Sequence, residues 1–411
     1  MMTKWETLNR LETLHGDSFY LLDKGGFARN HQEFRDAFAK IYRRTILAYS
    51  YKTNYAPALC RLNHDMGGWA EVVSGMEYEL AQKVGVPGEN IIFNGPYKPR
   101  PVLENALFAG SIVNLDSVYE LEAVEEMALR HPDRNFRIGM RCNFDIGEKE
   151  VSRFGFDVEA PDFPDLIARV RKCTGGFGGF HCHFSTGSRS TESYSKRIGR
   201  LLELTRAHFA ETAPDFINVG GGFFSKMDPE LQAQFDAPVP GYADYARAIA
   251  EPMAEAYPDG GPELIVEPGS AILADVMVFV ARVLNLKSIR KRVVAQTSGS
   301  IHNVKPTLNS KNLPAEIVRR PGSEAEQDAD SYDVTGYTCM ENDVLNHQFR
   351  GAIGADDYVI VKNVGAYTNV LKPPFIQPGP PILAYDGDLT DEVEVVKRRE
   401  TFDDVFATYS L

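Results

Sequence analysis

In the stretch LAYSYKTNY, Leu47 to Tyr55, Lys52 stands at the end of a run whose composition is otherwise that of a buried strand. An ammonium group there is costly unless it has left the strand or found a partner, and a third reason for keeping it is that its amine reacts. Other groups with chemical capacity follow short apolar runs in the same way: Glu71 in EVVSGME, Arg141 in RCN, and His181, His183, Ser185 and Thr186 in HCHFSTGS. Gly220, Gly221 and Gly222 in VGGGF and Glu267 in VEPGS complete the set. Glycines after a strand make a tight turn, or they let backbone N–H groups approach an anion, of which phosphate is the usual one at such a turn. Glu267 follows ELIV, and a carboxylate at that depth needs a cation or donors, whether Arg141 or a protonated ring nitrogen. The two histidines of HCH share a face by strand alternation and suit a metal pair, or a flat lid over a cofactor.

The elements that must position these groups form a repeating pattern. From Leu47 onward, short apolar runs such as TILAYSY, AEVVS, NIIFNG, SIVNLD, NFRIGMRCNF, FGGFHCHF, DFINVGGGF and ELIVEPG alternate with longer amphipathic stretches. About eight strands in a βα repeat predict an α/β protein with a parallel (β/α)8 TIM-like barrel, reactive groups at the strands' C-terminal ends. An open doubly wound sheet is the alternative. After AILAD the helical stretches give way to β-branched runs, VMVFVARVLNLKSI, KRVVAQT, YDVTGYTC, DYVIVKNVG and EVEVVKRRE, which predict a C-terminal all-β domain. RRPGSEAEQDADSYD between them reads as a polar surface loop.

The totals narrow the function. A chain of 411 residues that is 43% hydrophobic has apolar surface for one large and one smaller domain. A net charge of -13 opposes nucleic acid and anionic membrane surfaces as partners, which leaves a small molecule. The N-terminus lacks a signal-peptide pattern and no segment is apolar enough to span a bilayer, so a cytoplasmic enzyme is expected. Cys60, Cys142, Cys173, Cys182 and Cys339 are scattered without metal-site spacing, as free thiols of a reducing compartment are.

A lysine, a glycine cradle, a carboxylate and a flat imidazole together describe a site for pyridoxal 5'-phosphate, with its aldehyde on Lys52 as a Schiff base. The ordered motifs YSYKTN, EVVSGMEYELA, IIFNGPYKPRPVLENAL, IVNLDSVYELE, SRFGF, GGFHCHFSTGS, INVGGGF, VEPGSAILA, CMEND and VGAYTNV resemble those of the fold-type III pyridoxal-phosphate decarboxylases. That group acts on diaminopimelate, ornithine, arginine and carboxynorspermidine. The resemblance implies an alanine-racemase-like barrel over residues 31–273, a β domain over 274–411 joined by residues 1–30, and a homodimer with shared active sites. It further implies that Lys52 binds the cofactor's aldehyde, His183 stacks on its ring, Glu267 pairs with the ring nitrogen, and Gly220, Gly221 and Gly222 hold the phosphate with Tyr367. Glu71, Arg141 and Thr186 join the cofactor site by position. Cys339 is implied as the proton donor, entering from the partner subunit, beside Met340, Glu341 and Asp343 on the substrate side; no metal is implied.

Departures from the family pattern also bear on function. Ser270 in EPGS stands where the family has an arginine that helps with the phosphate, and HFST stands where it has HxGS. Met340 replaces the acidic residue that reads a distal amine, which predicts an amino acid with a modified far end, such as a siderophore precursor of the citryl-diaminopropionate type or a carrier-bound amino acid. An ordinary diamino acid ranks second. Two other classes use the same residues: a metal-dependent barrel hydrolase on His181, His183 and Glu267, and a racemase or inactive binding protein on a similar barrel.

Overall fold

The computed structural model describes residues 4–148, 151–174, 177–209, 212–290, 292–323, 330–390 and 392–410; within the polar loop expected at 319–333, residues 324–329 lie outside the described residues. The chain divides into two compact units. One takes Asn30–Phe224 and Ala237–Ala271, the other Met1–Arg29, Ser225–Asp236 and Ile272–Leu411, so that Ser225–Asp236 groups with the second unit although it lies between barrel elements in sequence.

The first strand, β1 (Ser18–Asp23), belongs to the second unit. The first unit is built on β2 (Thr45–Ser50), β3 (Trp69–Val72), β4 (Ile91–Phe93), β5 (Ile112–Leu115), β6 (Arg137–Asn143), the two-residue β7 (Phe156–Asp157), β8 (Phe177–His181), β9 (Phe216–Asn218) and β10 (Glu263–Val266). All pairings are parallel, and β7 extends the edge of β6. The pairing of β5 with β6, Ile112 opposite Arg137, closes the sheet into an eight-strand barrel and rules out the open alternative.

Strand alternation sets what fills this barrel. Ala48, Ile92, Ile112, Phe216 and Ile265 point inward as one apolar cluster, with Trp69 packed against it. Two residues further along the same strands, on the same inward face, stand Ser50, Asn94, Asn114, Asn218 and Glu267, and Glu71 two after Trp69. On β6 and β8 the lower positions are Gly139 and Gly179, where any Cβ would collide with Asn114 and with the Phe216 carbonyl. Large neighbours thus fill the space at these two strands, and Arg141 and His181 stand two residues later. The interior is an apolar floor beneath a polar layer.

The second unit carries a mixed sheet, where an all-β C-terminal domain is expected. It runs β15 (Val344–Phe349), β14 (Tyr332–Thr335), β12 (Arg292–Thr297), β11 (Met277–Ile289), β1, β17 (Ile382–Tyr385) and β18 (Glu394–Lys397), with β16 (Tyr358–Val361) pairing β11 and β13 (Ala315–Val318). β1 lies antiparallel to β11 and parallel to β17, which binds the N-terminal segment into this sheet. Leu8 and Leu11 of helix Trp5–His15 pack with Phe19, Leu21, Val280, Tyr358 and Leu383.

Candidate active site

The polar layer of the barrel is one hydrogen-bonded system. Lys52 lies in a single 3-10 turn, Tyr51–Thr53, immediately after β2, and its Nζ is 2.5 Å from Oε2 of Glu71 on β3. Glu71 is fully buried. Its other oxygen accepts from Asn94 Nδ2 at 3.0 Å, and the same nitrogen donates to Glu267 Oε1 at 2.7 Å. Asn218 Nδ2 also donates to Glu267 Oε1 at 2.7 Å, and Asn114 Nδ2 donates to Asn94 Oδ1 at 2.8 Å. His181 Nε2 stands 3.7 Å from Glu267 Oε1.

Burial pushes the Glu267 carboxyl up, but His181 and Lys52 beside it outweigh burial and hold it well below the usual carboxylate range. The two asparagine donors act in the same direction, since hydrogen bonds to the charged form favour it. The result is a buried, ionised carboxylate in the barrel mouth.

His183 follows β8, and its Nδ1 accepts the Gly221 N–H at 3.0 Å, so the ring's proton belongs on Nε2. Burial, then the Lys52 and Arg141 cations, lower its pKa far beneath the ordinary histidine value, and the imidazole is neutral. Arg141 fixes the same residue, donating from one nitrogen to the His183 carbonyl at 2.9 Å and from the other to Asp116 at 3.2 Å. Asp116 is held in turn: its N–H donates to Glu120, which forms a buried ion pair with Lys98 at 2.9 Å.

The glycine turn runs alongside. Gly220 and Gly222 have φ of +71° and +99°, conformations that L side chains rarely adopt. A Cβ on Gly221 would collide with the Glu267 carbonyl. Gly220 N–H donates to Asn218 and Gly221 N–H to His183, whereas the N–H groups of Gly222 and Phe223 have no partner among the described residues. Two free donors on a turn at a strand end are what an anion needs.

Lys52, Glu71, Arg141, His183, Gly220, Gly221, Gly222 and Glu267 are therefore joined through a few contacts. Thr186 lies with Arg141 and His183 on one cleft of about 840 Å³, and its hydroxyl accepts the Arg189 N–H. Cys339, Met340, Glu341, Asp343 and Tyr367 belong to the second unit. There Cys339 is exposed in a bend after β14, and Asp343 is buried, its two oxygens accepting the Ile301 and Thr338 N–H groups. Tyr367 has φ +58° and is 39% exposed. Among the described residues no group of three or more histidine, cysteine or acidic side chains is placed to hold a metal ion, and no helix is long and apolar enough to cross a membrane. Asn94, Asn114 and Asn218 escaped sequence reasoning, although each stands two residues beyond an inward-facing apolar residue.

A family model described as "pyridoxal-dependent decarboxylase, pyridoxal binding domain" matches residues 24–274. The chain belongs to the pyridoxal-dependent decarboxylases. The diaminopimelate decarboxylase of Methanothermobacter thermautotrophicus is 24% identical, over 95% of this chain and 91% of that one. An L-glutamyl-[BtrI acyl-carrier protein] decarboxylase of Niallia circulans is 28% identical, over 95% and 93%. Among solved structures, the diaminopimelate decarboxylase of M. jannaschii in complex with L-lysine superposes with a TM-score of 0.85 at 22% identity, covering 98% of this chain and 94% of that one, a likeness of fold.

As a member of this family the protein is a pyridoxal-phosphate-dependent amino-acid decarboxylase. The donor set fits that cofactor on its own terms: a primary amine at the rim, a buried anionic carboxylate, a neutral imidazole and a glycine turn with two free N–H groups.

Proposed function

We propose that the enzyme decarboxylates an α-amino acid whose far end is modified, as in a carrier-bound or siderophore-type intermediate, and that an ordinary diamino acid is a poor substrate. The observation that supports this is the loop after β14. Met340 offers no charge, and Asp343 has both carboxylate oxygens engaged by backbone N–H groups, so a distal ammonium would find Glu341 as its only counter-charge on that loop. Similarity to a decarboxylase of a glutamyl group on an acyl-carrier protein supports the same reading.

Lys52 would hold the cofactor covalently, Glu267 its ring nitrogen, His183 its ring face, and Gly222 and Phe223 its phosphate, with Thr186 as a further contact. Bound pyridoxal phosphate supplies an electron sink for the pair left when the carboxyl group departs as carbon dioxide. Glu71 takes the Lys52 proton or returns it, since the two groups already share a 2.5 Å hydrogen bond. Glu267 stays anionic because two asparagines donate to it. The exposed thiol of Cys339, brought by a second copy of the chain, delivers a proton to carbon, which makes the homodimer the working form.

Carbon dioxide release should be measured for free ornithine, lysine and diaminopimelate against their acylated and carrier-thioester analogues, with Lys52→Ala as control. A modified substrate should have the higher kcat/KM, and Lys52→Ala should release none. A higher value for any free diamino acid would reverse the substrate assignment.

A further inference from the structure

Arg197 lies on the inner face of helix Thr191–His208, one turn after Tyr194, and is 1% exposed. Its guanidinium donates to the Gly221 carbonyl at 3.4 Å, to the Phe184 carbonyl at 3.1 Å and to Ser193 Oγ at 3.2 Å, and sits 4.2 Å over the Tyr194 ring. Nε has no acceptor, and among the described residues no carboxylate pairs with the group. A buried cation held only by neutral acceptors lacks the counter-charge that burial normally demands.

The missing charge can be located from the peptide it touches. Both Arg197 and Tyr194, whose hydroxyl is 2.9 Å away, donate to the Gly221 carbonyl. In a trans peptide the C=O and the following N–H point in opposite directions, so this clamp directs the Gly222 N–H away from the helix. That N–H is one of the two free donors of the glycine turn. A positive charge on the carbonyl side polarises the peptide and strengthens the donor on the other side.

We propose that Arg197 is a phosphate-positioning residue, supplying from behind the glycine turn the positive charge that balances the cofactor's phosphate ester at the Gly222 N–H. The inference rests on the placement of the phosphate at this turn. It also accounts for Ser270, which carries no charge where the family pattern has an arginine.

The test is a pair of affinities on full-length chains stripped of cofactor: pyridoxal phosphate, and pyridoxal, which lacks the phosphate. Arg197→Gln keeps hydrogen-bond donors and removes the charge; Arg197→Lys keeps the charge. The ratio of the two affinities should fall at least tenfold in the glutamine variant through weaker binding of pyridoxal phosphate alone, and stay within about threefold of the native ratio in the lysine variant. An unchanged ratio in the glutamine variant, equal weakening of both ligands, or a lysine variant that falls as far as glutamine would overturn the proposal. If the glutamine chain does not fold, Arg197→Met, which keeps an apolar stem and removes the charge, takes its place under the same tenfold threshold. A native ratio near one would overturn the phosphate placement itself, which separates that failure from failure of Arg197.

Discussion

Asn94 donates to both Glu71 and Glu267, and Asn94→Asp should expose what it does. Its Nδ2 is 2.7 Å from Glu267 Oε1 and 3.0 Å from Glu71 Oε1. A carboxyl group of the same shape, if ionised, would place a third negative charge against these two oxygens. It must instead take a proton, and it then donates one hydrogen bond where the amide donated two. The lost charge-assisted bond costs about 1.5–3 kcal/mol. Two like charges at this distance raise the new group's pKa by roughly 3 units, at about 1.4 kcal/mol per unit. A folded-state pKa raised above the unfolded value means that the folded chain retains a proton which the unfolded chain releases. The deficit relative to native protein is therefore smallest near pH 4, grows as pH rises, and levels off above the raised pKa. It should go from about 2 kcal/mol near pH 4 to about 6 kcal/mol above pH 7. Urea unfolding in a Trp5→Phe background measures it, because Trp69 on β3 is then the only indole and reports the barrel. A variant within about 1 kcal/mol of native at pH 8, or a deficit that shrinks as pH rises, would refute the two-carboxylate clamp.

Three further outcomes follow from neighbouring groups. Burial pushes the Glu77 carboxyl up to about 7, partly offset by the Val73 N–H and reinforced by the Glu71 charge, so native stability should fall as pH rises from its ordinary 4.5 to about 7. Glu77→Gln should remove that slope, and an identical pH profile would contradict the assignment. Lys98→Met strands Glu120 without its partner inside the barrel wall and should cost about 3–5 kcal/mol in unfolding free energy, with Glu120→Gln recovering at least half in the double variant. Cys339→Ser should lower kcat at least tenfold while the cofactor's visible absorption band on the protein stays unchanged; full turnover would remove the thiol from proton delivery.

Much of the site was legible because each group follows an apolar strand run, and a closed parallel barrel delivers all strand ends to one rim. Lys52, His183, Glu267 and the triple glycine needed no distances to be singled out, since their chemistry is unusual at such positions. The asparagines were not legible in this way. Asn94 in NIIFNG and Asn218 in DFINVGG look like turn residues, which is where asparagine commonly occurs. Asp343 looked available for substrate, and only the backbone N–H groups of Ile301 and Thr338 show that it organises its own loop.

The sequence by itself determined the alternation of strands and helices, the change to β structure after Ala274, and the family, since all of these reside in local pattern and motif order. Tertiary structure decided what lies across the barrel from what. Residues distant in sequence meet through the sheet: Asn94 and Glu267 face each other across the mouth of the closed barrel, and Arg197 reaches Gly221 because β8 and β9 pair side by side beneath the helix that joins them. Charge state also depends on such meetings, because a buried carboxylate or imidazole takes its protonation from neighbours that no local stretch contains.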